Sequence, residues 1–173
     1  MTNSIKIICF FLPLCLLLSC NKPEEEDYCP VLGLIHNDIL VDVLDFEGNK
    51  LIDSNFIVNN LAFIRSDGYN IPFDMDKVGE EKLIKTCFPP PTISAMRYSD
   101  DRNSGYGESK LIVKVNDRKY TLRGSFHCTN SFPDIEIFAC VPIKIIGIQS
   151  DHPEISVSEY ADRLKVTIKI ASK

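Results

Sequence analysis

The densest grouping of side chains able to do chemistry is Asp100-Asp101-Arg102-Asn103-Ser104-Gly105-Tyr106-Gly107-Glu108, with Tyr98 two residues upstream. Oxygen donors at alternate positions suit calcium, and Asp101 and Asn103 stand at the spacing of the first two ligands of an EF-hand loop. Gly105 holds the third ligand's place and Tyr106 the turn glycine's place, so the match ends there. Gly105-Tyr106-Gly107 lacks the G-K-[ST] ending and the following helix on which a phosphate rests. What remains is a contact loop of carboxylates, an amide and two rings: Tyr98, Asp100, Asp101, Asn103, Tyr106 and Glu108. No metal and no cofactor is expected.

The other reactive group is cysteine. Past Cys20 come Cys29, Cys87, Cys128 and Cys140, with gaps of 58, 41 and 12 residues between them. Zinc sites pair their ligands at C-x₂₋₄-C spacing, and even with His36 or His127 added these cysteines do not. An even count in an exported chain points to disulfides instead. The expected bridges are Cys128–Cys140, which joins two neighbouring predicted strands, and Cys29–Cys87. No G-x-S-x-G elbow exists, and Gly124-Ser125 lies inside a predicted strand. His36, His127 and His152 fall in unlike contexts with no recognisable partner, so no catalytic residue is assigned.

Export is read from the N-terminal segment. Lys6 precedes an apolar run from Ile7 to Leu18 that contains Cys9 and Cys15. Twelve residues are too few for a hydrocarbon core that needs about 20, and suit a secretory signal peptide. Leu17-Leu18-Ser19-Cys20 resembles the bacterial lipobox, which implies cleavage before Cys20 and lipidation of its thiol. Lys22 followed by Glu24, Glu25, Glu26 and Asp27 resembles the surface-export signal of Bacteroidota lipoproteins. As chemistry alone, four adjacent carboxylates make a solvated, extended tether. The expected organisation is a signal peptide over 1–19, an acidic tether over 20–30 and one domain over 31–173. An outer-membrane location through the lipid follows, with cell-surface exposure if the acidic run is an address.

The elements that must carry these groups read as strands. Ile39, Val41 and Val43 share a face; Leu111, Val113 and Val115 alternate with polar neighbours, and so do Tyr120, Leu122, Gly124 and Phe126 after a turn at Asn116-Asp117-Arg118. Leu61–Arg65, Lys82–Cys87, Ile93–Tyr98 and Ile135–Ile148 are further candidates, Pro142 splitting the last or marking an edge. Leu164, Val166, Ile168 and Ile170 point one way and Lys165, Thr167 and Lys169 the other. Asp76–Lys85 could hold a short helix, and Pro89-Pro90-Pro91 a stiff connection. About eight strands with turn signals between them suggest an all-β fold, an antiparallel β-sandwich. Val41-Asp42-Val43-Leu44-Asp45-Phe46-Glu47-Gly48-Asn49-Lys50-Leu51 resembles the opening hairpin of Ig-like and carboxypeptidase-regulatory-like domains. That resemblance implies a sandwich and no activity.

A net charge of −5, with no run of Lys or Arg, argues against nucleic acid, which is held by basic surface. The chain has no Trp for a flat sugar platform, leaving Tyr98, Tyr106, Tyr120 and Phe132. The expected function is a lipid-anchored, non-enzymatic binding or structural module for an envelope protein or glycan. The alternatives are an immunity or inhibitor lipoprotein that blocks an envelope toxin or hydrolase, and a hydrolase with a scattered active site.

Overall fold

Period-two alternation is realised as twelve strands in a computed structural model that describes residues 35–52, 59–101, 103–130 and 140–171, the side chains of Asn130, Cys140 and Val141 excepted. In chain order they are β1 (Ile35–His36), β2 (Asp38–Asp45), β3 (Leu61–Arg65), β4 (Asn70–Ile71), β5 (Phe73–Val78), β6 (Glu81–Cys87), β7 (Met96–Tyr98), β8 (Ser104–Val115), β9 (Arg118–Asn130), β10 (Cys140–Ser150), β11 (Ile155–Tyr160) and β12 (Arg163–Ile170). A seven-stranded sheet runs β1-β10-β9-β8-β3-β4, with β7 also on β8; a five-stranded sheet runs β11-β12-β2-β6-β5. Their inner faces meet in one core, where Ile39, Val41, Ile84 and Val166 join Phe63, Leu111, Leu122 and Phe126. Each such side chain, fully removed from water, contributes about 1.5–3 kcal/mol.

The all-β fold stands, with two corrections. The sheets are mixed: β1 runs parallel to β10, and β2 parallel to β12. The cause is a change of sheet at Asn37, whose side-chain amide donates to the Phe88 carbonyl at 2.6 Å while its own carbonyl accepts from Phe88 N at 2.9 Å. The chain thus joins one sheet with two residues and the other with the next eight. The expected helix over Asp76–Lys85 is instead the β5–β6 hairpin, turning at Gly79 with φ +64°. Leu83 and Ile84 are consecutive, fully buried and on opposite faces, which hides the alternation in the sequence.

Elsewhere the local chemistry behaves as its residue types dictate. Asn116 takes the left-handed conformation that turns β8 into β9. Pro142 lies at a register shift between Cys140 and Ile143, where the ladder does not need its missing N–H. In the Asp45–Asn49 turn the Asp45 carboxylate accepts from the backbone and side chain of Asn49, both at 2.8 Å. The expected returning strand there is only an isolated bridge, Leu44 to Lys50.

The segment from Phe88 to Tyr98, through the three prolines, lies against the inner face of β8 and β9. A Cβ at Gly107 would collide with Met96 Sδ and come 3.0 Å from Pro91. A Cβ at Gly105 would come 2.7 Å from the Tyr98 ring. These glycines are flat spots that let Pro91, Met96 and Tyr98 sit directly on backbone, fixing β7 beside β8.

Candidate functional site

The six expected contact residues separate into three places. Asp101 closes its own turn: one carboxylate oxygen accepts from Ser99 Oγ at 2.6 Å and Asn103 N at 3.0 Å, the other from Asn103 Nδ2 at 2.9 Å. Those bonds, the Ser99 hydroxyl first, hold its carboxyl below the usual range. Asp100 is exposed on the same turn. Tyr98 points inward, pairs with Gly105 and has its phenol pushed up by burial. Tyr106 and Glu108 point outward and are exposed. Tyr98 and Tyr106 therefore do not form one aromatic platform.

Tyr106 belongs to a different arrangement. Cross-strand partners run in register from Arg97 to Tyr106, His127, Lys144 and His36, across β7, β8, β9, β10 and β1. Strands about 4.8 Å apart make this row roughly 19 Å wide. Tyr106, 57% exposed, stacks on His127 with ring centroids 4.6 Å apart and planes at 40°. At one end Ala95, Arg97, Tyr106, Glu108 and Ser125 line a hollow of about 450 Å³. At the other, His36 and Lys144 border a cleft of about 500 Å³ shared with Asp38, Glu159, Asp162 and Arg163.

The same outer face carries further cations. Lys110 stands opposite Arg123, and Lys114 opposite Lys119. Arg123 is paired with Asp151. Among the described residues no ion pair involves Arg97, Lys110, Lys114, Lys119 or Lys144. Glu108 is the one carboxylate among the described residues that the strands of this sheet raise on that face. Like charges directly opposite one another oppose sheet formation, so nothing in the folding of these strands calls for this arrangement. Sequence reading missed it because the cations are never adjacent. The available signal was outward Lys and Arg on consecutive predicted strands.

The remaining candidates lie apart. Cys87 is a free thiol, so the expected Cys29–Cys87 bridge is not formed; Cys29 itself lies outside the described residues. Its Sγ donates to Asp38 Oδ1 at 3.3 Å. Burial, then Asp38, pushes the thiol's pKa up, which disfavours the thiolate a nucleophile needs. Cys128 is disulfide-bonded, with a partner outside the described side chains. His127 is turned outward and Cys128 inward, so the two neighbours share no site. His152 stands edge-on to Tyr120 at 5.2 Å. Phe132, Cys20 and the acidic run fall outside the described residues. No family model, curated protein or solved structure matches the chain, so what this face does is argued from its own geometry.

Proposed function

We propose that the protein is an exported, non-enzymatic binding module, anchored in the outer membrane through lipid on Cys20, that offers the outer face of its seven-stranded sheet to an anionic partner. The observation carrying this is a set of cations, Arg97, Lys110, Lys114, Lys119 and Lys144, that have no ion-pair partner among the described residues, with Lys114 and Lys119 directly opposed, on a chain whose net charge is −5. A charge arrangement that works against the fold is accounted for by what it attracts. Export rests on the lipobox-like Leu17–Cys20, and it favours a Cys128–Cys140 bridge. Cys140 pairs with Asn130, two residues beyond Cys128 in the same ladder, next to a register shift.

Retention of the full-length protein, held in detergent micelles, on immobilised dextran sulfate tests the reading. Wild type is expected to bind and to elute with rising salt, as counterion release requires. Arg97→Gln combined with Lys144→Gln should elute earlier. Wild type in the flow-through at low salt refutes an anionic partner. Cys20→Ala remaining in a carbonate-washed membrane pellet refutes the lipid anchor.

A further inference from the structure

The geometry points to a uronate-bearing polysaccharide as the anionic partner, with the hollow beside Tyr106 as the subsite for one acidic sugar; this rests on the binding role proposed above. Three features select that chemistry. Arg97 offers a planar guanidinium fork suited to a carboxylate, and it lines the hollow of about 450 Å³. The Tyr106 ring lines the same hollow, 57% exposed and backed by His127 at 4.6 Å, so it presents a fixed flat surface to the C–H face of a pyranose. Glu108 and the Ser125 hydroxyl complete the lining. A carboxylate in this position accepts hydrogen bonds from sugar hydroxyls.

Glu108 also discriminates between anions. The phosphodiester backbone of nucleic acid and the chain of inorganic polyphosphate present acceptor oxygens and negative charge, which a carboxylate repels. A uronate chain brings a carboxylate for Arg97 and hydroxyl donors for Glu108 in one ring. Along the row, Lys144 and His36 continue past His127 at the spacing of successive strands, about 4.8 Å. That spacing is close to the rise of one sugar in an extended chain, so one strand of polysaccharide lies across the sheet with carboxylates three sugars apart over Arg97 and Lys144.

Titration calorimetry on the full-length protein held in zwitterionic-lipid nanodiscs, free of detergent, separates the possibilities. The probes are oligogalacturonate, its fully methyl-esterified form, inorganic polyphosphate, single-stranded DNA and phosphatidylglycerol vesicles. Oligogalacturonate is expected to bind at least about tenfold more tightly than any of the others. Arg97→Gln and Tyr106→Ala should each weaken it by about tenfold, Tyr106→Phe and Lys77→Gln by less than about twofold. Equal binding of polyphosphate, DNA or vesicles, with no effect of Tyr106→Ala, overturns the polysaccharide assignment and leaves the anionic-partner reading standing. Equal binding of the methyl ester overturns the carboxylate's role. Binding of none of the probes overturns both.

Discussion

On the outer face of the five-stranded sheet Lys165 reaches Glu81 at 2.9 Å and Asp42 at 3.4 Å, whereas on the outer face of the seven-stranded sheet Lys114 stands opposite Lys119. The first face pairs the charges at its centre, while Asp74 and Lys169 at its margins are exposed. Lys50 bridges the same two carboxylates at 3.6 and 3.2 Å, Lys85 meets Asp38 at 2.9 Å and Arg163 meets Asp76 at 2.8 Å. Asp42 is only 4% exposed there, and Leu40 and Leu83 on the same face are fully buried. Desolvation costs are tolerable only because each buried charge has a counter-charge. The second face pairs Arg123 with Asp151 but carries Arg97, Lys110, Lys114, Lys119 and Lys144 with no ion-pair partner among the described residues. One molecule therefore uses charge in two ways: to close a surface, and to leave one available.

The sharpest test of this contrast is the removal of one charge from each face. Lys165→Met leaves Asp42, whose Oδ1 already lacks a hydrogen-bond partner, with only the more exposed Lys50. A loss of about 3 kcal/mol in urea unfolding is expected. Arg97→Gln should stay within about 0.5 kcal/mol of wild type. Equal losses would end the distinction. Gly107→Ala comes next, at about 1–3 kcal/mol, because the new methyl group meets Met96 and Pro91 on the inner face. It should also weaken polyanion binding, since β7 and hence Arg97 must shift.

Acid should act through the closed face. Burial raises the Asp38 carboxyl, but the hydrogen bonds from Lys85 and Cys87 with the nearby cationic charges outweigh it, and the net shift is downward. Hydrogen bonds from Lys165 and then Lys50 hold Glu81 low as well. A carboxyl with a depressed folded-state pKa contributes stability above its unfolded value, about 4, and loses it as pH falls through the folded value. Thermal midpoints are thus expected to be flat from pH 7 to about 5 and to fall below about 4. Both groups are partly exposed, so solvent screening keeps the effect modest. Lys85→Met should flatten the acid limb; an unchanged limb would remove Asp38 from the account. The smallest effect has the opposite sign. Lys114→Glu, facing Lys119, should stabilise by about 0.5 kcal/mol while weakening polyanion binding.

Much of the fold was legible because alternation is a strong signal where one face is buried and the other wet. Leu61–Arg65 forms the strand its residues suggest, and Leu164, Val166, Ile168 and Ile170 all face the interior. The signal failed where both faces are buried, at Leu83 and Ile84, and where topology decides pairing, as in the parallel β2–β12 ladder. No local pattern says that the first long strand will lie beside the last. The site was less legible for a related reason. Tyr106 and Glu108 were singled out, but Arg97, His127, Lys144 and His36 come together only through register across five strands. Tyr98 and Tyr106, eight residues apart, sit on opposite faces because β7 and β8 fold back on each other, with Tyr98 over Gly105.

The crossing at Asn37 has a mechanical consequence. Tension arriving from the N-terminal side meets β1 first, held to β10 by two residue pairs, and then β2, held from Ile39 to Asp45 by β12 on one side and from Asp38 to Val41 by β6 on the other. Peeling β1 away breaks its few bonds one after another at low force. Drawing β2 out along its own axis loads many bonds together, in shear. A pull of that kind would find a weak latch followed by a strong one, giving the chain a little extension at β1 before the sandwich itself bears load.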